Sequence, residues 1–293
     1  MPFFQFLRST FFINGLALVA LFAIATMTGV LSSVSQAAAC GQKTDCEVAN
    51  GTYRIYVPET AKGQAQIPAI LHIHGLGRGA EGVMKNRNLT RLAKKYGMAL
   101  IAVNGRAQSW TFPQGVRRGR VRDDFAYVRS VSDDAAQRFN IDRSRIVLTG
   151  FSIGASMVWN IACRTPEAFA GYVTISGTFW RPQPSRCAAP ISEIYHVHGR
   201  SDPIFPLEGR IVKGRRQGAI ADTMAFILKQ DRCTTEPVEE EKRGRLECRL
   251  HRNCSGGSVS FCFHGGGHYI KSPFVEDALF RIIQARGWSV PGI

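Results

Sequence analysis

The chain has 293 residues, of which 45% are hydrophobic and 20% are charged, and its formal net charge is +15 at pH 7. This length suits one large domain with a single core and does not comfortably divide into two. None of its 8 cysteines forms a C-x-x-C pair, which argues against a redox dithiol or a zinc knuckle.

Residues 1–39 are predicted to be a signal peptide rather than part of the fold. Arg8 precedes a long apolar stretch that begins at Phe11, and small residues follow up to Cys40. We therefore expect an exported protein, periplasmic or secreted, whose single catalytic domain covers residues 40–293 and which keeps no membrane span after cleavage. An uncleaved membrane anchor and a lipid on Cys40 remain as alternatives.

An even number of cysteines in an exported chain indicates disulfides. The predicted pairs are Cys40–Cys46, Cys163–Cys187, Cys233–Cys254 and Cys248–Cys262. The last pair has the clearest basis, because the strand-like segments 246–252 and 258–263 flank a Ser-Gly-Gly turn and place Cys248 opposite Cys262.

Basic residues cluster at 117–122, 213–216 and 242–245. For an exported protein, nucleic acid is not an expected partner, whereas an acidic polysaccharide or an anionic cell surface suits this charge. A surface that is basic only for solubility is the alternative. The oligomeric state has no signature in the sequence.

Short apolar strands alternate with helix-like segments after residue 40. The strands are predicted at 52–57, 69–74, 99–103, 145–149, 172–176 and 193–198. The helices are predicted at 86–96, 123–139, 153–163, 219–229 and 273–285. This alternation predicts one α/β domain with a mostly parallel sheet covered on both faces, extended by the antiparallel C-terminal hairpin.

The motif Gly150-x-Ser152-x-Gly154 stands between a predicted strand and a predicted helix. A serine in a tight strand–turn–helix elbow exposes its hydroxyl as a nucleophile, and glycines flank it because the turn is crowded. The backbone N–H of Ile153 and a second one after the strand at 69–74 would then stabilise an oxyanion. Leu76 is the first choice for the second donor and Gly77 the alternative.

A serine hydroxyl needs a base that is itself oriented. Asp202 follows the strand at 193–198, at the sheet edge where catalytic groups collect, and His268 follows three glycines near the C-terminus. We assign Ser152 as nucleophile, His268 as general base and then acid, and Asp202 as the group that orients His268. His264 is the competing base, and Asp123 or Asp124 the competing acids.

Two histidine pairs, His72-x-His74 and His196-x-His198, share strand faces, as metal ligands often do. No third ligand follows at metal spacing, so buried, satisfied histidines are expected, with no metal and no cofactor. His251 is expected to be exposed, and Trp180 is a candidate for the border of the site.

These motifs, in this order, resemble a known group of secreted enzymes. They are His74-Gly75, Asp123-Asp124, Ile141-Asp142-x-x-Arg145, Gly150-Phe-Ser152-x-Gly154, Ala162-Cys163, Ser176-Gly177, His196-x-His198-Gly199-x-x-Asp202 and Gly266-Gly267-His268. The chain resembles the esterases that group poly(3-hydroxybutyrate) depolymerases with feruloyl and acetylxylan esterases of carbohydrate esterase family 1. The resemblance implies an α/β-hydrolase fold, a cofactor-free serine esterase and the same three catalytic residues.

The expected function is an exported serine carboxylic-ester hydrolase that works through an acyl-enzyme on hydroxyalkanoate oligomers or polymer. A feruloyl or acetylxylan esterase acting on plant cell-wall polysaccharide is the alternative. A non-catalytic binding protein on the same fold is the rival of another class.

Overall fold

The computed structural model describes residues 40–116, 121–234, 236 and 239–291. The predicted signal peptide and three arginines of the first basic cluster, Arg117, Arg118 and Arg120, lie outside these ranges. In the described ranges no helix is long and apolar enough to cross a membrane.

The strands agree with most of those predicted from the sequence. They are β1 (Cys46–Val48), β2 (Gly51–Tyr56), β3 (Ile67–Ile73), β4 (Ala99–Val103), β5 (Ile141–Phe151), β6 (Gly171–Ile175), β7 (Trp180–Arg181), β8 (Ile194–Gly199), β9 (Ile211–Val212), β10 (Arg215–Gln217), β11 (Glu239–Arg243), β12 (Leu246–His251) and β13 (Val259–His264). The charged strand β11 was not predicted, because it carries no apolar pattern and is defined only by its pairing with β12.

The helices are α1 (Ala80–Met84), α2 (Arg87–Lys95), α3 (Asp124–Phe139), α4 (Ile153–Arg164), α5 (Ile220–Gln230) and α6 (Ser272–Ala285). Asn86 and Asp123 cap α2 and α3 by accepting hydrogen bonds from backbone N–H groups of the first helical turn. The short helix α1 was not predicted.

Within the described ranges, ten strands form one sheet in the order β1-β2-β4-β3-β5-β6-β8-β13-β12-β11. The six strands from β4 to β13 in that order are parallel, while β1 and β2 at one edge and β12 and β11 at the other are antiparallel. The sheet is therefore mostly parallel, with an antiparallel C-terminal extension, as predicted.

Two apolar cores cover the two faces of this sheet. Along β4, Ile101 packs with one core and Leu100 with the other, because successive side chains of a strand point to opposite faces. The first core contains residues of α3 and α4, and the second contains residues of α1, α2 and α6. Helices therefore lie on both faces.

The strand order reverses between β3 and β5, which are neighbours in the sheet. From β3 the chain continues to β4 on one side, and from β5 it continues to β6 on the other side. Such a reversal opens a crevice at the carboxyl ends of the strands. The loops after β3, β5, β8 and β13, which carry the predicted site residues, all begin at that edge.

Four disulfides join Cys40–Cys46, Cys163–Cys187, Cys233–Cys254 and Cys248–Cys262, the pairs expected from the sequence. Cys248 and Cys262 stand directly opposite each other in the register of β12 and β13. A separate three-stranded sheet, β7-β10-β9, was not predicted, since its strands have only two or three residues each.

Candidate active site

Ser152 lies in a tight turn between β5 and α4. Its φ of 61° and ψ of −126° are unfavourable for a residue with a side chain, and such strain persists only where the surroundings enforce it. A Cβ at Gly150 would lie 2.6 Å from the carbonyl oxygen of Gly154, and a Cβ at Gly154 would collide with the carbonyl oxygen of Ile73. The two glycines are therefore required by close backbone approach, as the motif predicts.

The structure brings the three predicted catalytic side chains into one hydrogen-bonded row. His268 Nε2 lies 2.9 Å from Ser152 Oγ, and His268 Nδ1 lies 2.7 Å from Asp202 Oδ2. The carboxylate can only accept, so it requires the proton on Nδ1 and leaves Nε2 free to accept the serine proton. Ser152 and His268 are 116 positions apart in the chain, so only the fold brings them together.

Asp202 is itself held in place by the backbone of its own loop. Its Oδ1 accepts hydrogen bonds from the N–H groups of Ile204 and Phe205, both at 2.8 Å. Burial alone would raise the pKa of the Asp202 carboxyl, but the hydrogen bonds from His268 and from these N–H groups lower it, and the resulting pKa lies below the usual value. Asp202 is therefore an anion at neutral pH.

A buried row of hydrogen bonds supports the Asp202 loop from behind. His198 Nε2 lies 2.8 Å from the carbonyl oxygen of Phe205 and must donate to it, which leaves His198 Nδ1 to accept from His196 Nε2 at 3.2 Å. His196 Nδ1 then accepts from the Thr174 hydroxyl at 2.8 Å. Burial lowers the pKa of both imidazoles, which keeps them neutral, as this pattern requires.

The predicted oxyanion donors flank Ser152. Ile153 is the first residue of α4, where backbone N–H groups have no partner inside the helix. A Cβ at Gly75 would lie 3.3 Å from Ser152 Cβ, so the loop after β3 passes directly beside the serine. The N–H of Gly77 donates to the carbonyl oxygen of Gln108 at 3.0 Å, and this favours Leu76 over Gly77 as the second donor.

His74 holds the loop that carries Leu76, a role that no sequence pattern indicates. Its Nδ1 donates to the carbonyl oxygen of Gly75 at 2.8 Å, and its Nε2 accepts from the N–H of Gly105 at 3.1 Å. Trp110 Nε1 donates to the His74 carbonyl oxygen at 2.7 Å. Burial lowers the pKa of His74 to about 4, so the ring is neutral and suits this pattern.

Two aromatic rings contact the imidazole of His268. Phe205 is stacked on it with ring centroids 5.9 Å apart, and Phe151 lies tilted against it at 4.8 Å. Trp180, the expected border residue, is buried one layer further away and meets the edge of Phe205 at 6.3 Å. No sequence pattern indicates the role of the two phenylalanines, because their contact with His268 arises only from the arrangement of the loops.

The competing candidates lie outside this row. His264 is buried in β13, where its Nδ1 accepts from the backbone N–H of Gly266 at 3.0 Å. Asp123 caps α3, and Asp124 forms a buried ion pair with Arg122. These contacts give each of them a structural role.

His251 was expected to be exposed, and this expectation is wrong. The residue is 2% exposed, and its Nδ1 donates to the carbonyl oxygen of Thr234 at 3.1 Å. It lies at the end of β12, where the side chain stacks edge-on against Phe261. The polar neighbours of His251 in the sequence concealed this burial.

The histidine pairs are engaged in hydrogen bonds rather than arranged as a metal cluster. His72 Nδ1, for example, lies 2.8 Å from Thr149 Oγ1. In the described part of the chain, one group of three potential ligands lies close together, namely Cys248, Cys262 and Asp277. Its two sulfur atoms form a disulfide with each other and are not thiolates.

Comparison with known proteins gives consistent matches. Residues 117–213 match the family described as Phospholipase/Carboxylesterase. NocK of Nocardia uniformis subsp. tsuyamanensis, provisionally named an esterase, is 29% identical over 231 residues, which cover 69% of this chain and 64% of NocK. The chain thus spans less than two thirds of that relative.

Two further relatives match over most of their length. "Probable feruloyl esterase C" of Aspergillus flavus is 24% identical over 293 residues, which cover 93% of this chain and 99% of the relative. The solved structure of an acetyl xylan esterase from Aspergillus awamori has a TM-score of 0.57 at 17% identity and covers 80% of this chain and 94% of that one. At this identity the second likeness establishes the fold alone.

The sheet topology and these matches define an α/β hydrolase, which confirms the predicted fold class. Within that class, the matching relatives are esterases. The chain has the α/β-hydrolase fold and is similar to esterases of this group.

Proposed function

We propose that this chain is a serine carboxylic-ester hydrolase in which Ser152, His268 and Asp202 carry the reaction. The observation that carries the proposal is the unbroken row from Ser152 Oγ through both ring nitrogens of His268 to Asp202 Oδ2, with contacts of 2.9 and 2.7 Å. A binding protein on the same fold would have no need for a strained serine and a base with a defined tautomer.

In the first half of the reaction, Ser152 Oγ attacks the ester carbonyl carbon while His268 Nε2 takes its proton. The carbonyl oxygen becomes an anion, which the N–H groups of Ile153 and Leu76 stabilise. His268 then gives the proton to the departing alcohol oxygen, and an acyl-enzyme remains on Ser152. Asp202 stabilises the imidazolium through both steps without taking the proton itself.

In the second half, His268 removes a proton from a water molecule, and the resulting hydroxide attacks the acyl carbon. The ester bond to Ser152 breaks, the proton returns to Ser152 Oγ, and the carboxylic acid is released. The protein supplies every proton transfer in this scheme. The scheme uses no cofactor or metal.

We infer feruloyl or acetyl esters of plant cell-wall polysaccharide as the substrate class. The relative from Aspergillus flavus, which is matched almost end to end, supports this alternative better than the hydroxyalkanoate reading favoured by the sequence motifs. Leu76 and Ile204, which are 45% and 42% exposed, lie on the loop beside Ser152 and on the loop that holds His268, and they offer apolar surface for an acyl group.

Export is part of the proposal. All eight cysteines are paired in disulfides, which form and persist in oxidising compartments. We propose that residues 1–39 act as the export signal and that the protein works in the periplasm or the medium. N-terminal sequencing of the mature protein would test the cleavage.

The decisive test compares the oxidised wild-type protein with its Ser152→Ala variant on methyl ferulate, p-nitrophenyl acetate, acetylated xylan and a hydroxybutyrate trimer. We expect wild-type turnover on the ferulate or acetyl esters and a loss of about 10⁶ in kcat in the variant. Equal activity of the two proteins would refute the role of Ser152. Turnover of the trimer alone would restore the hydroxyalkanoate reading.

A further inference from the structure

The separate three-stranded sheet carries a hairpin with an unusual concentration of positive charge. Its strands β9 and β10 are joined by Lys213 and Gly214, whose φ angles of 49° and 73° are both positive, as in the tight turns that match the twist of paired strands. The segment 210–216, here called the basic hairpin, has four exposed cations: Arg210, Lys213, Arg215 and Arg216.

The four cations have no internal partner. In the part of the chain that the structure describes, no carboxylate lies within 4.0 Å of any of them, whereas the neighbouring Arg181 is paired with Asp222. The acidic residues of the surface are mostly engaged elsewhere, for example Asp45 with Arg54. An unpaired cation costs little in water, but four of them on one short hairpin create a positive potential that attracts anions.

The small sheet that carries the basic hairpin is linked to the candidate active site through buried aromatic residues. Gln217 of β10 is 2% exposed and pairs with Trp180 of β7. Trp180 meets the edge of Phe205 at 6.3 Å, and Phe205 is stacked on His268. Moreover, a Cβ at Gly177, just before β7, would collide with the carbonyl oxygen of Ser152, so the start of this segment packs against the backbone of Ser152.

The distribution of the charges indicates the shape of the partner. Arg215 and Arg216 are successive residues of a strand and therefore point to opposite faces, while Lys213 lies at the tip. Ile211, which is 69% exposed, is the register partner of Arg216 and adds apolar surface on that face. Cations on both faces and at the tip suit a flexible polyanionic chain better than a flat surface.

We propose that the basic hairpin binds the carboxylates of an acidic polysaccharide and holds that polymer beside Ser152. This inference rests on the proposed function in one respect only, namely that the bound polymer presents its ester groups to Ser152. The binding itself follows from the charge and the position of the hairpin.

The test uses polygalacturonate immobilised on a resin, with neutral xylan as the reference polymer. The hairpin variant is Lys213→Glu/Arg215→Glu/Arg216→Glu. The matched control is Arg87→Glu/Arg91→Glu/Lys94→Glu on α2, which reverses three exposed and equally unpaired cations and changes the net charge by the same amount.

We expect polygalacturonate to retain the wild-type protein and xylan not to bind it. The retained protein should elute at about 1 M NaCl, because charges more than about 3 Å apart are screened at that concentration. The hairpin variant should bind about tenfold more weakly, since three exposed ion pairs are lost, while the α2 control is retained like wild type. Turnover of a small soluble ester should be unchanged in both variants. Equal losses of retention in both variants, or no loss in the hairpin variant, would overturn the proposal.

Ser152→Ala separates this inference from the proposed function. Its retention should equal that of the wild type, because Ser152 is not part of the hairpin. Retention that depends on the hairpin in a protein without esterase activity would refute the proposed function and leave the binding site standing. Esterase activity in a protein that polygalacturonate does not retain would refute the binding site and leave the proposed function standing.

Discussion

Replacing Asp202 by asparagine changes one atom of the site and gives the sharpest test of how the structure orients the base. In the protein, Asp202 Oδ1 accepts two backbone hydrogen bonds, from Ile204 and Phe205 at 2.8 Å. An asparagine must keep its oxygen at that position, because an NH₂ group there would face two donors. Its NH₂ group is therefore forced towards His268 Nδ1.

The forced orientation reverses the proton arrangement of the imidazole. His268 Nδ1, which lies 2.7 Å from residue 202, would have to accept from the new NH₂ group, so the proton would move to Nε2. A protonated Nε2 cannot take the proton of Ser152 Oγ. The wrong tautomer in a triad of this type lowers kcat by about 10⁴, which corresponds to about 5 kcal/mol of activation free energy.

The assay is steady-state hydrolysis of p-nitrophenyl acetate by Asp202→Asn, with thermal unfolding as the check that the variant is folded. Asp222→Asn is the matched control, since it makes the same chemical change in an exposed carboxylate that pairs with Arg181. We expect full activity in the control. A kcat for Asp202→Asn within tenfold of wild type would show that the carboxylate does not determine the tautomer of His268.

Two other substitutions test the serine turn and a buried charge. Gly154→Ala should abolish ester hydrolysis and lower the melting temperature, because the new Cβ would collide with backbone carbonyl oxygens. Gly265→Ala is the control and should behave like wild type, since no atom lies within 4 Å of a Cβ at that position; equal effects of the two substitutions would contradict the steric explanation. Burial raises the pKa of the Asp231 carboxyl from 3.8 to about 6, so the folded protein binds a proton at this group more tightly than the unfolded chain does. The free energy of unfolding should therefore fall by up to about 3 kcal/mol as the pH rises from about 4 to about 6. Asp231→Asn should therefore be more stable than wild type at pH 8 and equal to it at pH 4 in denaturant titrations; a pH-independent difference would refute this assignment.

Local sequence signals were sufficient for most of the fold. The strands β3, β4, β6 and β8 are short, mostly apolar runs, and the strand–turn–helix context of Ser152 is contained in consecutive residues. Strand β5 starts at Ile141, four residues before the predicted start at Arg145. The prediction missed this first part because residues 142–145 are polar and show no strand pattern. The edge strand β11 escaped detection for the same reason.

Only part of the candidate active site could be predicted from the sequence. The order of Ser152, Asp202 and His268 along the chain predicted the three side chains that the fold brings together. The proposed substrate class, feruloyl or acetyl esters instead of hydroxyalkanoate esters, draws on the likeness to the relative from Aspergillus flavus. The role of His74 was missed, since its partners come from the loop after β4. The residues next to His74 in the sequence do not predict contacts with a distant loop.

The sequence by itself determined the element types, the strained serine turn, the excess of basic charge and the C-terminal hairpin, because each depends on neighbouring residues or on composition. The tertiary structure alone decided that His268 lies beside Ser152 and that the N–H of Gly77 donates to the carbonyl oxygen of Gln108. It also decided that the sheet carrying the basic hairpin is linked to the site through Trp180 and Phe205. These contacts join segments far apart in the chain. They exist only when the parallel sheet brings the carboxyl ends of its strands to one edge.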